Sequence, residues 1–123
     1  DVRINRIWCA QDCGLVINPS QVENQIMGNI VWGCSMALKE RITITAGEVE
    51  ESNFDTYEIL RHDETPEMTV ALIDAPEQPP VAVGESAFGP VAPAIANAVF
   101  AATGRRIRNL PLSYDSLFSN GDA

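Results

Sequence analysis

Positive charge is scarce in this sequence: 8 Lys and Arg stand against 17 Asp and Glu, a formal net charge of -9. That balance argues against nucleic acid or an anionic membrane surface as a partner, since both are gripped through cationic side chains. A phosphate-bearing cofactor would have to be held by backbone N–H groups, by neutral side chains or by another chain. Histidine occurs once, at His62, in a stretch without regular patterning, so no Ser-His-Asp arrangement can be assembled. Three cysteines cannot pair completely and form no dense framework, so disulfides do not organise the fold. No apolar run approaches the roughly 18 residues of a membrane-crossing helix, and nothing repeats at a period of roughly 20 to 50 residues. No Gly-Lys-Ser/Thr follows a glycine-rich turn, which removes the phosphate loop. The opening "DVRINRIWCA" has neither an initiating Met nor the layout of a signal peptide, so the chain reads as a mature piece or a fragment.

What is present suits one compact core: 123 residues, 46% of them hydrophobic. The first residues alternate, which predicts a strand ending near Asp12 to Gly14 with Val2, Ile4 and Arg6 on one face. Asn18-Pro19 is a helix-start signal. Val22, Ile26, Ile30, Gly33 and Ala37 then form one apolar stripe of a helix from about 19 to 39. Gly28 and Gly33 weaken that helix by roughly 1 kcal/mol each relative to Ala, which suggests that something approaches closely. "RITITAGEVEE" predicts a hairpin turning at Ala46-Gly47, and residues 55 to 66 an irregular connection. "EMTVALIDA" predicts a buried strand, broken by "PEQPP". Gly89-Pro90 opens a second helix through about Thr103, capped by Gly104, with Arg105 and Arg106 at the negative end of its dipole. "RIRNLPL" predicts a last short strand. Without regular βαβ alternation the fold class is α+β, with residues 113–123 a loosely held tail.

Glu85 is the one charged residue between Gln78 and Thr103. It follows Gly84, where the missing Cβ lets a backbone or ligand come close, and it precedes an Ala-rich helix that packs without bulk. A carboxylate fenced by apolar groups is a candidate general base; an exposed loop Glu stabilised by the helix dipole is the plainer alternative. Gln25 shares a helix with Gly28 and Gly33, so its amide is either a ligand-binding group or merely solvated. Cys9, Cys13, Cys34 and His62 have a weak metal-ligand spacing and are more simply core thiols and a loop histidine. Glu48, Glu50 and Glu51 read as a solvated hairpin face.

Taken together, "DCGLVINPSQVENQIMGNIVWGCSMALKE", "SNFDTYEILR", "VGES" and "APAIANAVFAATGRRIRNLP" resemble the C-terminal part of the large, molybdopterin-binding subunit of the xanthine dehydrogenase and aldehyde oxidase family. The resemblance runs from about Arg3 to Leu112 and is nearest the branch that includes the isoquinoline 1-oxidoreductase beta chains. It implies that residues 1–112 are part of a molybdopterin-binding domain. The activity implied is hydroxylation of a small aldehyde or N-heterocycle with oxygen from water. Glu85 in "VGE" would be the base that takes the proton from the attacking oxygen. Gln25 in "NQIMG" would contact the molybdenum-pterin cofactor, with Gly28 and Gly84 leaving room beside it.

Where the family has a proline-rich continuation after this glutamate, the chain has Ser86-Ala87-Phe88. The loops that hold most of the pterin lie upstream in the family, and iron-sulfur clusters belong to a separate subunit or domain. The expected partners are therefore the remaining part of the molybdopterin-binding subunit and an iron-sulfur subunit. The alternative reading is a non-catalytic binding or assembly module that retains the fold.

Overall fold

The computed structural model describes residues 2–112. Asn18 accepts from the Gln21 N–H at 3.3 Å and so caps α1 (Pro19–Leu38), whose first position is the proline that needs no N–H partner. The apolar stripe turns inward as its spacing predicts: Ile26, Ile30, Gly33 and Ala37 are buried, and Cys34 joins them. The second helix, α2 (Val91–Thr103), buries Val91, Ile95 and Val99 against that stripe and stops at Gly104, which takes φ 71°. At the crossing a Cβ on Gly33 would lie 2.6 Å from the Val91 Cβ, so the second of the two helix glycines sets how closely the helices meet.

Strands β1 (Arg6–Gln11) and β4 (Glu67–Leu72) pair in parallel, with Ile7, Cys9 and Gln11 opposite Met68, Val70 and Leu72. The alternation expected from Val2 and Ile4 does not continue through Arg6. Val2 and Ile4 pack on the core, but regular pairing begins only at Arg6, and from there Ile7 and Cys9 point inward. Arg6 faces outward and donates to Glu67 at 2.8 Å, its partner across the pair. Between α1 and β4 lies the hairpin β2 (Ile44–Thr45) and β3 (Glu48–Val49). Its two-residue turn places Ala46 at φ 53° and Gly47 at φ 88°. The acidic hairpin face is not all solvated: the half-buried Glu51 accepts from the Thr43 N–H at 2.6 Å and from its hydroxyl at 2.8 Å, which holds its carboxyl below the usual range.

The strand expected over 106–112 does not form. No described strand pairs with it, and Pro111 offers no N–H. The segment instead buries Ile107 and Leu112, and the Leu112 N–H donates to the Ala37 carbonyl at 2.7 Å. The expected tail at 113–123 lies outside the described residues. The α+β class holds: two helices packed on one another and on a small sheet.

Candidate functional site

Gln25 and Glu85 stand far apart in sequence, and the fold brings them together. The Gln25 side chain, on the exposed edge of α1, donates to the carbonyl of Gly84 at 2.7 Å, and that carbonyl belongs to the peptide bond leading into Glu85. One helical turn on, Asn29 donates to the same carbonyl at 2.9 Å and to the Gln25 carbonyl at 2.8 Å. Two carbonyl oxygens facing Nδ2 fix the orientation of the Asn29 amide, since the flipped group would set acceptor against acceptor. Asn29 is only 3% exposed and its Oδ1 is buried with no partner among the described residues. Such an orphaned acceptor ordinarily costs about 1–3 kcal/mol.

The loop after Gly84 is tied at every step except the Glu85 side chain. Ser86 donates to the Gln11 side chain at the end of β1 (2.8 Å), and Ala87 is buried. Phe88 stacks on Trp32 of α1, with ring centroids 4.3 Å apart and planes inclined by 30°. Its N–H closes a turn onto the Glu85 carbonyl at 3.2 Å. The Glu85 carboxylate makes no hydrogen bond or ion pair among the described residues, and the residue is exposed. The apolar enclosure expected around it is therefore not built by the described residues. What the segment builds is a fixed backbone carrying an uncommitted carboxylate.

Next to the Gln25–Gly84 contact is a cleft of about 410 Å³, bounded by Leu15, Val22, Gln25, Val81, Val83 and Gly84 among others. A Cβ added at Gly28 or at Gly84 would meet nothing within 4 Å. Unlike Gly33, these two glycines leave space that no described residue fills. The thiols are poor metal ligands here: burial pushes Cys34 up to about 11 and raises Cys9 as well, which keeps both protonated at neutral pH. The described residues contain no group of three His, Cys, Asp or Glu able to hold a metal ion. No helix among them is long and apolar enough to cross a membrane.

Sequence reasoning missed Asn29. The signal was available, since a polar residue sits between Ile26 and Ile30 on an otherwise apolar stripe and one turn from Gln25. It also missed the Trp32–Phe88 stack, which no spacing in the sequence indicates.

Comparison with known proteins places the chain in a family. The molybdopterin cofactor-binding domain matches residues 1–66. The chain is 38% identical over 113 residues to one chain of the nicotinate dehydrogenase of Pseudomonas putida, covering 92% of this chain and 10% of that protein. It is 38% identical over 109 residues to the beta chain of isoquinoline 1-oxidoreductase from Brevundimonas diminuta, covering 89% and 14%. Its backbone matches quinoline 2-oxidoreductase from Pseudomonas putida with a TM-score of 0.80 at 26% identity, over 94% of this chain and 16% of that one. The chain thus spans between 10% and 16% of the length of these proteins. It belongs to the molybdopterin-binding domain family of the xanthine dehydrogenase and aldehyde oxidase enzymes.

Proposed function

We propose that this chain is one segment of a molybdenum hydroxylase that oxidises a small aldehyde or N-heterocycle, and that Glu85 is its catalytic base. The observation that carries this reading is the 2.7 Å bond from Gln25 to Gly84, which joins the candidate cofactor contact to the residue preceding the candidate base. The residues fit the cofactor. Gln25 commits one N–H to Gly84, which leaves its second N–H and its carbonyl for the polar edge of a flat heterocycle. Open space at Gly28 and Gly84 would admit such a group, and the adjoining cleft offers apolar wall.

When bound, the molybdenum-pterin group supplies the two-electron oxidant and the activated oxygen derived from water. The chain's own contribution is positional and acid–base. Gln25 orients the cofactor edge, and the anchored loop holds Glu85 so that a carboxylate oxygen accepts the proton of the attacking nucleophile. Among the described residues nothing competes for that carboxylate, so it is free to act once the rest of the subunit encloses it. Partners are needed for that enclosure: the remainder of the molybdopterin-binding subunit, and an iron-sulfur subunit to carry the electrons away. Trp8, Ile17, Ile44 and Phe54, each more than two-thirds exposed, and the unpaired edges of the β1–β4 pair support a missing neighbour. The relatives' names point to nicotinate and isoquinoline as substrates to try.

The test is Glu85→Gln in the complete, cofactor-loaded enzyme, assayed by single-turnover reduction with isoquinoline, nicotinate or benzaldehyde. Molybdenum content and fold should be kept, while the rate falls by about 10²- to 10⁴-fold, the usual worth of a general base. A fully loaded variant reacting within a few-fold of the parent would remove Glu85 from the chemistry and favour a non-catalytic module.

A further inference from the structure

We propose that Asn29 is a positioning residue for Glu85, fixing the Gly84–Glu85 peptide so that Gln25 is left free for the cofactor. The inference rests on the reading of Glu85 as the base. It comes from the way two amides, one exposed and one buried, meet on a single carbonyl oxygen.

Gln25 reaches the Gly84 carbonyl from the exposed edge of α1, and a flexible exposed side chain holds a loop only weakly against competition from water or a ligand. Asn29 reaches it from a site that is 3% exposed, and its Nδ2 is pinned a second time by the Gln25 carbonyl one turn back in the same helix. The buried amide is the rigid member of the pair. If Gln25 swings toward a cofactor, the Gly84 carbonyl keeps one donor and the peptide plane that sets the direction of the Glu85 Cα–Cβ bond stays where it was. The same amide leaves Oδ1 buried and unpartnered, so an asparagine here is unfavourable for everything except what Nδ2 does. Four residues along the loop, the Trp32–Phe88 stack ties the other end to the same helix. Glu85 thus hangs between two anchors on α1, and Asn29 is the anchor adjacent to it.

The experiment uses the complete enzyme with Asn29→Leu, which preserves bulk and removes the donor, and with Asn29→Ala. Each is made in the parent and in the Glu85→Gln background. In the parent, either substitution should lower the single-turnover rate with isoquinoline, nicotinate or benzaldehyde by roughly 10- to 100-fold at unchanged molybdenum content and KM, as expected of a misplaced catalytic group. In the Glu85→Gln background the same substitution should change the rate by less than about two-fold, because its effect passes through the carboxylate. Independently of turnover, hydrogen–deuterium exchange over residues 82–90 should quicken in the Asn29 variants of both cofactor-free and loaded protein. Equal losses in the two backgrounds, or unchanged rate and exchange in Asn29→Leu, would overturn the proposal while leaving Glu85 as the base. A silent Glu85→Gln would overturn both. Should Asn29→Ala fail to fold, Asn29→Leu decides alone.

Discussion

Gly33→Ala adds a single methyl at the point where α1 crosses α2, and the structure sets the size of the collision. The new carbon would sit 2.6 Å from the Val91 Cβ and 2.9 Å from each of its γ-methyls. Carbon atoms at rest are about 3.5–4.0 Å apart, so the helices must part by roughly 1 Å or Val91 must move. Replacing a helix glycine by alanine returns about 1 kcal/mol of propensity, whereas overpacking a core costs about 1–3 kcal/mol, so the net expectation is a loss of about 0–2 kcal/mol. The loss has a directional consequence. Val91 opens α2, immediately after the Glu85–Phe88 turn, so pushing it away from α1 strains the Trp32–Phe88 stack and the Gly84 bonds together. In the complete protein, thermal unfolding and cofactor content should both fall in Gly33→Ala. Adding Val91→Ala, which removes both γ-methyls and leaves only the Cβ contact, should restore part of that loss beyond what additivity predicts. Gly28→Ala is the contrast. Its Cβ meets nothing within 4 Å, so the segment should gain about 1 kcal/mol of helix stability while cofactor loading falls if the pterin comes near it. A Gly33→Ala protein more stable than its parent by the full propensity of about 1 kcal/mol, or strict additivity with Val91→Ala, would refute the packing argument.

Two further predictions concern the remainder of the structure. Ala46 occupies the left-handed region in the hairpin turn, where Asn is far better tolerated, so Ala46→Asn should raise hairpin stability by about 1 kcal/mol, read as slower exchange of the β2–β3 amides. Glu64 accepts from Lys39 at 2.6 Å and from the Arg61 N–H at 2.8 Å, contacts that hold its carboxyl below the ordinary 4.5. A folded value below the unfolded one means that this contribution is fully present above about pH 4.5 and is lost as pH falls through the folded value. Glu64→Gln should flatten that acid limb in a stability–pH curve, and an unchanged limb would show the pair to be inert.

The elements with the strongest local signals were legible. Asn18-Pro19 and Gly104 bound their helices, and the Ala46-Gly47 turn and the alternation of Met68, Val70 and Leu72 appear as read. These features depend on capping, positive φ and two-residue periodicity, all of which act over a few residues. The last strand failed because a strand needs a neighbour, and "RIRNLPL" carries strand-like alternation without saying whether one is there. The shift of facing at Arg6 was illegible for a related reason: it is set by where β4 begins to pair, and the partner Glu67 is 61 residues away. Of the two helix glycines that suggested a close approach, Gly33 meets Val91, while Gly28 meets nothing among the described residues. No rule about helix propensity separates them, because the difference lies in what is packed opposite.

The reading of Glu85 divides in the same way, and the division is informative about the segment as a whole. An apolar stretch around one carboxylate indicates that the region is buried in its final setting, but not which residues do the burying. Here Ala87, Val91 and Ile95 are buried in the core they share with α1, and Glu85 is left exposed. The same holds for β1, where Ile7 and Cys9 pack on the core and Trp8 faces outward, exposed among the described residues. A two-stranded parallel sheet with an exposed tryptophan is marginal on its own, because parallel strands are ordinarily covered on both faces. The composition around Glu85 and the outward apolar residues of β1 therefore argue for the same missing wall. The loop under Glu85 needs none of that wall: the bonds of Gln25 and Asn29 to the Gly84 carbonyl, the Ser86–Gln11 side-chain bond and the Phe88–Trp32 stack all come from within the segment. On the proposed reading, position would be supplied locally and environment from outside, and an exposed carboxylate here would suit a base that works only in the complete enzyme.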